Sequence, residues 1–222
     1  MNIHGIYAAV GRRSRARRMR RMWQALGLTP ESRVLDVGGT DGIWSLLPEQ
    51  PRVVLLNLGA PPRQARDERR QYVVGDACRL PFTDNAFNAL FSNSLIEHLY
   101  TFDRQAMFAG ECRRVAGRYF VQCPNQRFTL EPHLLTPFVH WLPQRARLRL
   151  LRNFTVWGWL TRPSRAQCQQ FIQEVRMLTA GEMRALFPDA VVWKERLLGL
   201  AKSLVAVKGT ADARPSQQRP WR

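Results

Sequence analysis

The chain has 222 residues, with 34 Lys and Arg against 17 Asp and Glu, and a formal net charge of +17. That length suits one domain with a sizeable core, and an apolar content of 45% excludes a fully disordered chain. No window approaches the roughly 18 uninterrupted apolar residues of a membrane span, and the N-terminal arginines precede no apolar core of a secretory signal. Cys78, Cys112, Cys123 and Cys168 form no CxxC pair and have no His at zinc-ligand spacing. They are expected as reduced core thiols of a cytoplasmic protein. The charge implies attraction to something anionic: nucleic acid, an anionic lipid surface or a phosphorylated substrate.

Arg12, Arg13, Arg15, Arg17, Arg18, Arg20 and Arg21 precede the first acid, Glu31. Ser14 as a cap, an apolar stripe at Ala16, Met19, Trp23 and Leu26, and Gly27 as a stop predict a basic helix. Its arginine face is expected in solvent. Strand-like and helix-like segments then alternate. Arg33–Val37 predicts a strand, Asp41–Leu47 a helix, and Arg52–Asn57, Tyr72–Val74 and Ala86–Ser92 three further strands. Asp103–Ala116 predicts an amphipathic helix capped by Asp103, and Arg118–Gln122 a fifth strand. Short, continuously apolar strands between helices argue for a parallel sheet covered on both faces. Phe128–Phe154, rich in proline, aromatics and arginine, predicts a helical lid inserted after that strand. Thr179 opens a short helix, and Ala190–Arg196 with Lys202–Lys208 predict a closing hairpin turned at Gly199. The polar residues from 210 onward are expected as a disordered tail.

Asp36-Val37-Gly38-Gly39-Thr40-Asp41-Gly42 stands between a strand and a helix. Glycines there let a ligand approach the backbone, and a helix start offers free N–H groups. A structural turn or a dinucleotide site fits that segment alone. A dinucleotide site wants an acid at the end of the second strand, and that position is Asn57. Two later segments, GDACRLPF from Gly75 and FNALFSNSLIEHL from Phe87, follow the third strand and span the fourth. With VLDVGGTDG in order before them, the chain resembles class I S-adenosylmethionine-dependent methyltransferases of the type 11, small-molecule branch. RLLGLAKSLVAVK in the closing hairpin resembles that group too.

The resemblance implies an α/β fold: a doubly wound, seven-stranded, mostly parallel sheet of Rossmann-like methyltransferase type with an antiparallel C-terminal hairpin. It divides the chain into a basic N-terminal helix over 1–28, a methyltransferase domain over 29–209 with a lid at about 126–165, and a tail over 210–222. It implies S-adenosyl-L-methionine as cofactor. Asp36, Gly38, Gly39, Thr40 and Gly42 would wrap its methionine part, Asn57 would meet the ribose, Asp76 and Ala77 the adenine, and Asn93 would lie beside the sulfonium. Thr40, Asn57 and Asn88 depart from the usual residues of the group. Glu97-His98 echoes a divalent-metal site of some relatives, but Ser94 stands where a third ligand would be, so no metal is expected.

Methyl transfer to a hydroxyl gains from a base near pH 7, and two histidines are candidates for the catalytic role, His98 after the fourth strand and His133 in the lid. His140, beside Trp141, is expected to be structural. The acceptor implied is small or lipid-linked and the reaction O-methylation. The lid's apolar residues followed by Arg145, Arg147, Arg149 and Arg152 suit an amphipathic acceptor or peripheral contact with an anionic membrane. An RNA methyltransferase or nucleic-acid-binding module is the alternative from the net charge and from Trp157 and Trp159; a non-catalytic relative of the fold is another.

Overall fold

The structure, a computed structural model, describes residues 3–59, 68–131, 134 and 136–210, without the side chains of 3–11 and 131. Its main sheet contains β1 (Arg33–Val37), β2 (Arg52–Asn57), β3 (Arg70–Val74), β4 (Ala89–Asn93) and β5 (Tyr119–Pro124). A two-stranded ribbon follows in the lid, β6 (Leu130–Glu131) and β7 (Thr136–Pro137). The long hairpin β8 (Val191–Leu197) and β9 (Leu200–Lys208) completes the main sheet. The strand order is β3-β2-β1-β4-β5-β9-β8. The first five strands pair in parallel, and β9 runs antiparallel to both β5 and β8. The order reverses between β1 and β4, so the crevice above their C-terminal ends is the ligand position that this topology provides.

The central strands read VLDV, VVLL, ALF and YFV because both of their faces are covered. On one face α1 (Ile3–Leu26) buries Met19, Met22, Ala25 and Leu26 against Val34, Leu55, Phe91, Phe120 and Val205. On the other, α2 (Phe102–Val115) and α6 (Ala180–Leu186) bury Phe108, Cys112 and Met183 against Leu35, Leu56, Leu90 and Leu204. A side chain such as Leu26 or Phe108, with no exposure, contributes about 1.5–3 kcal/mol by that burial. All four cysteines are buried and unbridged.

Several local expectations are corrected. The first helix begins at Ile3, so Ser14 lies inside it, and Met22 and Ala25 join Met19 and Leu26 on its buried stripe while Trp23 is half-buried. Asp41–Leu46 is a 3-10 segment rather than an α-helix. Thr101, not Asp103, caps α2, accepting from Arg104 N at 3.2 Å, because the residue one before the first turn has the extended backbone that a cap needs. The arginine face is not wholly solvated, since Arg18 is only 6% exposed.

The segment expected as a helical lid is part ribbon and part helix: α3 (Gln144–Phe154), α4 (Val156–Thr161) and α5 (Arg165–Glu174) follow β7. They enclose a small core of their own around Leu134, Val139, Leu151, Cys168 and Ile172.

Candidate active site

The turn after β1 is held by two hydrogen bonds from β2. Gly38 N donates to Leu56 O at 2.8 Å, and the Asn57 amide donates to Gly39 O at 3.0 Å. Gly38 has φ +78°, and a Cβ there would meet the Leu95 side chain at 2.8 Å. A Cβ on Gly39 would run into the Asp36 carboxylate. Both glycines are therefore required by the local geometry. Gly42 has open space around it, and Thr40 is exposed in extended backbone just before the 3-10 segment.

Beneath the turn Asp36 is fully buried. Its Oδ2 accepts from Trp44 Nε1 at 2.8 Å, while its Oδ1 has no hydrogen-bond partner. Burial pushes its pKa up to about 7, against the lowering effects of the Trp44 bond and the Arg70 charge. Trp44 was not foreseen as a site residue. The 3-10 segment carries its indole back onto Asp36, a contact that the helix expected there would not have suggested.

At the end of β3, Asp76 accepts from Cys78 N at 2.9 Å, and both of its oxygens accept from Arg104 Nη2 at 3.0 Å. Those bonds hold its carboxyl below the usual range. Ala77 beside it is buried. Arg104, on α2, is a further residue that motif reading missed; it stands 28 residues from Asp76.

At the end of β4, Asn93 Oδ1 accepts from Arg18 Nη1 at 2.6 Å. Arg18 also forms a two-pronged pair with Glu195 of β8, Nε to Oε1 at 2.8 Å and Nη2 to Oε2 at 2.5 Å. The first helix thus reaches the C-terminal edge of the sheet through Arg18. His98 ends a 3-10 turn over Ile96–His98 and is half-buried. Gln105 Nε2 donates to Ile96 O at 2.9 Å and Arg176 N to Glu97 O at 2.7 Å, so that turn is fixed from below. Glu97 is fully buried. His133 lies outside the described residues. His140 is in the lid, its Nε2 2.9 Å from Gln126 O and its ring against Trp141.

A parallel sheet with a glycine turn at its switch point, closed by an antiparallel hairpin, is the class I methyltransferase fold. Residues 35–118 match the family described as Methyltransferase domain. A search of curated protein sequences finds no match. Among solved structures, the fold is similar to the 1,6-didemethyltoxoflavin-N1-methyltransferase of Burkholderia thailandensis with bound 1,6-didemethyltoxoflavin and S-adenosylhomocysteine. The TM-score is 0.54 at 16% identity, over 90% of this chain and 78% of that one. It is also similar to the magnesium protoporphyrin IX methyltransferase of Synechocystis with bound S-adenosylhomocysteine, at TM-score 0.53 and 13% identity over 94% and 89%. A third is Haemonchus contortus phosphoethanolamine N-methyltransferase 2 in complex with S-adenosyl-L-methionine, at TM-score 0.52 and 14% identity over 80% and 38%. At these identities the likeness is one of fold.

The site fits such a cofactor on its own observations. Asp36 leaves one buried carboxylate oxygen without a partner beneath a turn kept free of Cβ atoms at Gly38 and Gly39. No described helix is long and apolar enough to cross a membrane.

Proposed function

We propose that this chain transfers the methyl group of S-adenosyl-L-methionine to an oxygen of a small or lipid-linked acceptor. When bound, the cofactor supplies a methyl already activated on a sulfonium. The protein then has to bind it, exclude water, orient the acceptor and take a proton. Asp36, Gly38, Gly39, Thr40 and Gly42 hold the methionine part, Asn57 the ribose, Asp76 and Ala77 the adenine, and Asn93 lies beside the sulfonium. His98 takes the acceptor's proton, with His133 as the second candidate.

One observation favours an amphipathic acceptor met at an anionic surface. In α4, Val156, Trp159 and Leu160 recur at i, i+3 and i+4 and are exposed, with Phe154 ahead of them; Trp159 and Phe154 are each 70% exposed. Arg145, Arg149 and Arg152 of α3, which packs on α4, and Arg162 at the C-terminal end of α4 are exposed as well. Aromatic side chains left in water beside arginines suit the boundary between headgroups and acyl chains. The test is transfer of labelled methyl to a lipid extract, a water-soluble small-molecule fraction and RNA. Label in either of the first two, stable or labile to base as an ether or ester dictates, is expected. Label in RNA alone would replace this reading with the nucleic-acid one.

A further inference from the structure

On the α1 side of the sheet, four adjacent strands change from apolar to polar towards the same edge, β9 and β8 one two-residue step further on than β4 and β5. Phe91 is followed two residues on by Asn93 in β4, and Phe120 by Gln122 in β5. Trp193 is followed by Glu195 in β8, and Val205 is preceded by Ser203 in β9. A two-residue step keeps each pair on one face. The apolar members pack in the core under α1, and the polar members lie beyond them as a stepped patch, Asn93 beside Gln122 and, one step further on, Ser203 beside Glu195. Gln122, Ser203 and Glu195 are all buried.

Arg18 lies across this patch. Besides its pair with Glu195 it donates from Nη1 to Asn93 Oδ1 at 2.6 Å and Gln122 Oε1 at 3.3 Å. Ser94 Oγ donates to the same Gln122 oxygen at 3.1 Å. A guanidinium only donates, so both carboxamides are turned with their oxygens towards it. What Asn93 and Gln122 offer on their other side is the NH2 donor.

Glu195 offsets the charge of Arg18, but a second cation stands beside them. The ladder between β8 and β9 pairs Glu195 with Ser203 and Arg196 with Ala201, leaving Lys202 as the extra residue of a bulge. Bulges re-aim a side chain and recur beside active sites. The Lys202 ammonium is part-buried, and it feels Arg18 and Arg15 as like charges and Glu195 as its opposite. Burial, then those two arginines, draw its pKa down. A desolvated cation among cations is stabilised by an anion brought to it.

We propose that Asn93, Gln122 and Lys202, braced by the Arg18–Glu195 pair, form an acceptor subsite that anchors an anionic group, a carboxylate or phosphate, beside the hydroxyl to be methylated. This rests on the methyltransferase reading above and narrows its acceptor class. Arg18 is here a positioning residue, acting through the two carboxamides.

The test titrates octyl phosphate and uncharged octyl glucoside into the full chain, with and without S-adenosylhomocysteine. A charge-assisted contact should favour octyl phosphate by about tenfold or more. Lys202→Gln should remove that preference and Lys202→Arg restore it, with S-adenosylhomocysteine affinity unchanged in both. Arg18→Met would strand the buried Glu195 and endanger the fold, so Lys202 carries the test. No preference in the wild type, or a preference kept in Lys202→Gln, overturns the subsite. Failure of the wild type to bind S-adenosylhomocysteine is read separately and removes the methyltransferase reading, and the acceptor role with it. Phosphatidylcholine vesicles with and without phosphatidylglycerol distinguish the source. Association with acidic vesicles that is lost in Lys202→Gln supports the subsite with a lipid headgroup in it. Octyl phosphate binding without vesicle binding supports it with a free acceptor.

Discussion

Substituting Asp36 by Asn tests the buried carboxyl beneath the glycine turn. Its pKa is raised from 3.8 to about 7 because burial penalises the charge and only Trp44 donates to it. Between about pH 4 and pH 7 the native state therefore keeps a proton that the unfolded chain has lost. The sign follows: this group's contribution falls as pH rises through that window, and the native state carries the cost above it. A gap of about three pH units at about 1.4 kcal/mol each amounts to about 4 kcal/mol. Asp36→Asn removes the titration. The stability of the variant minus that of the wild type should thus rise by up to about 4 kcal/mol from about pH 4 to about pH 8 and then level. Urea unfolding of both proteins across that range measures it, and the difference cancels the other titrating groups. With the methionine part placed as proposed, the ammonium of S-adenosylhomocysteine would stabilise the ionised carboxyl, so saturating ligand should flatten the wild type's loss of stability above pH 7 while leaving the pH dependence of the variant unchanged. A stability difference flat with pH would refute the argument.

Gly38→Ala forces a side chain into φ +78° and against Leu95, costing about 1–2 kcal/mol and weakening S-adenosylhomocysteine binding by at least about tenfold in calorimetry. His98→Ala should lower turnover by about 10²–10⁴ with cofactor affinity kept, and His133→Ala is expected to behave alike. His140→Ala, whose ring contacts Gln126 O inside the lid, should turn over normally; a loss there as large as at His98 would move the base into the lid. The pair Trp159→Ser and Leu160→Ser should cut association with acidic vesicles in a sedimentation assay without changing cofactor affinity, and binding left intact would return α4 to an ordinary solvated surface.

Chain order and composition made the sheet legible. VVLL and YFV are continuous apolar runs and VLDV is broken only by Asp36, with Asn57, Pro124 and Gly38 within three residues after them, and those are local facts of backbone and burial. Boundaries were less legible. The 3-10 segment at Asp41 and the cap at Thr101 differ from their expected forms by geometry that competing polar residues leave ambiguous. The ribbon β6–β7 after β5 was not legible, because its two-residue strands are too short to have a period.

The sequence by itself determined that a glycine turn follows the first strand, with Asp36 below it and Asn93 at the end of the fourth strand. Those positions follow from residues a few places apart. Only the tertiary structure decided what these residues meet. Trp44 caps Asp36 because a 3-10 segment, not a helix, carries it back. Arg104 reaches Asp76 across 28 positions, and Arg18 reaches Asn93 across 75 and Glu195 across 177. In the sequence Arg18 is one of seven arginines in a row of equivalent charges. It differs from the rest because the helix buries Met19 and Met22 on the sheet, and that rotation places Arg18, one turn before Met22, at the polar edge of β4, β5 and β8.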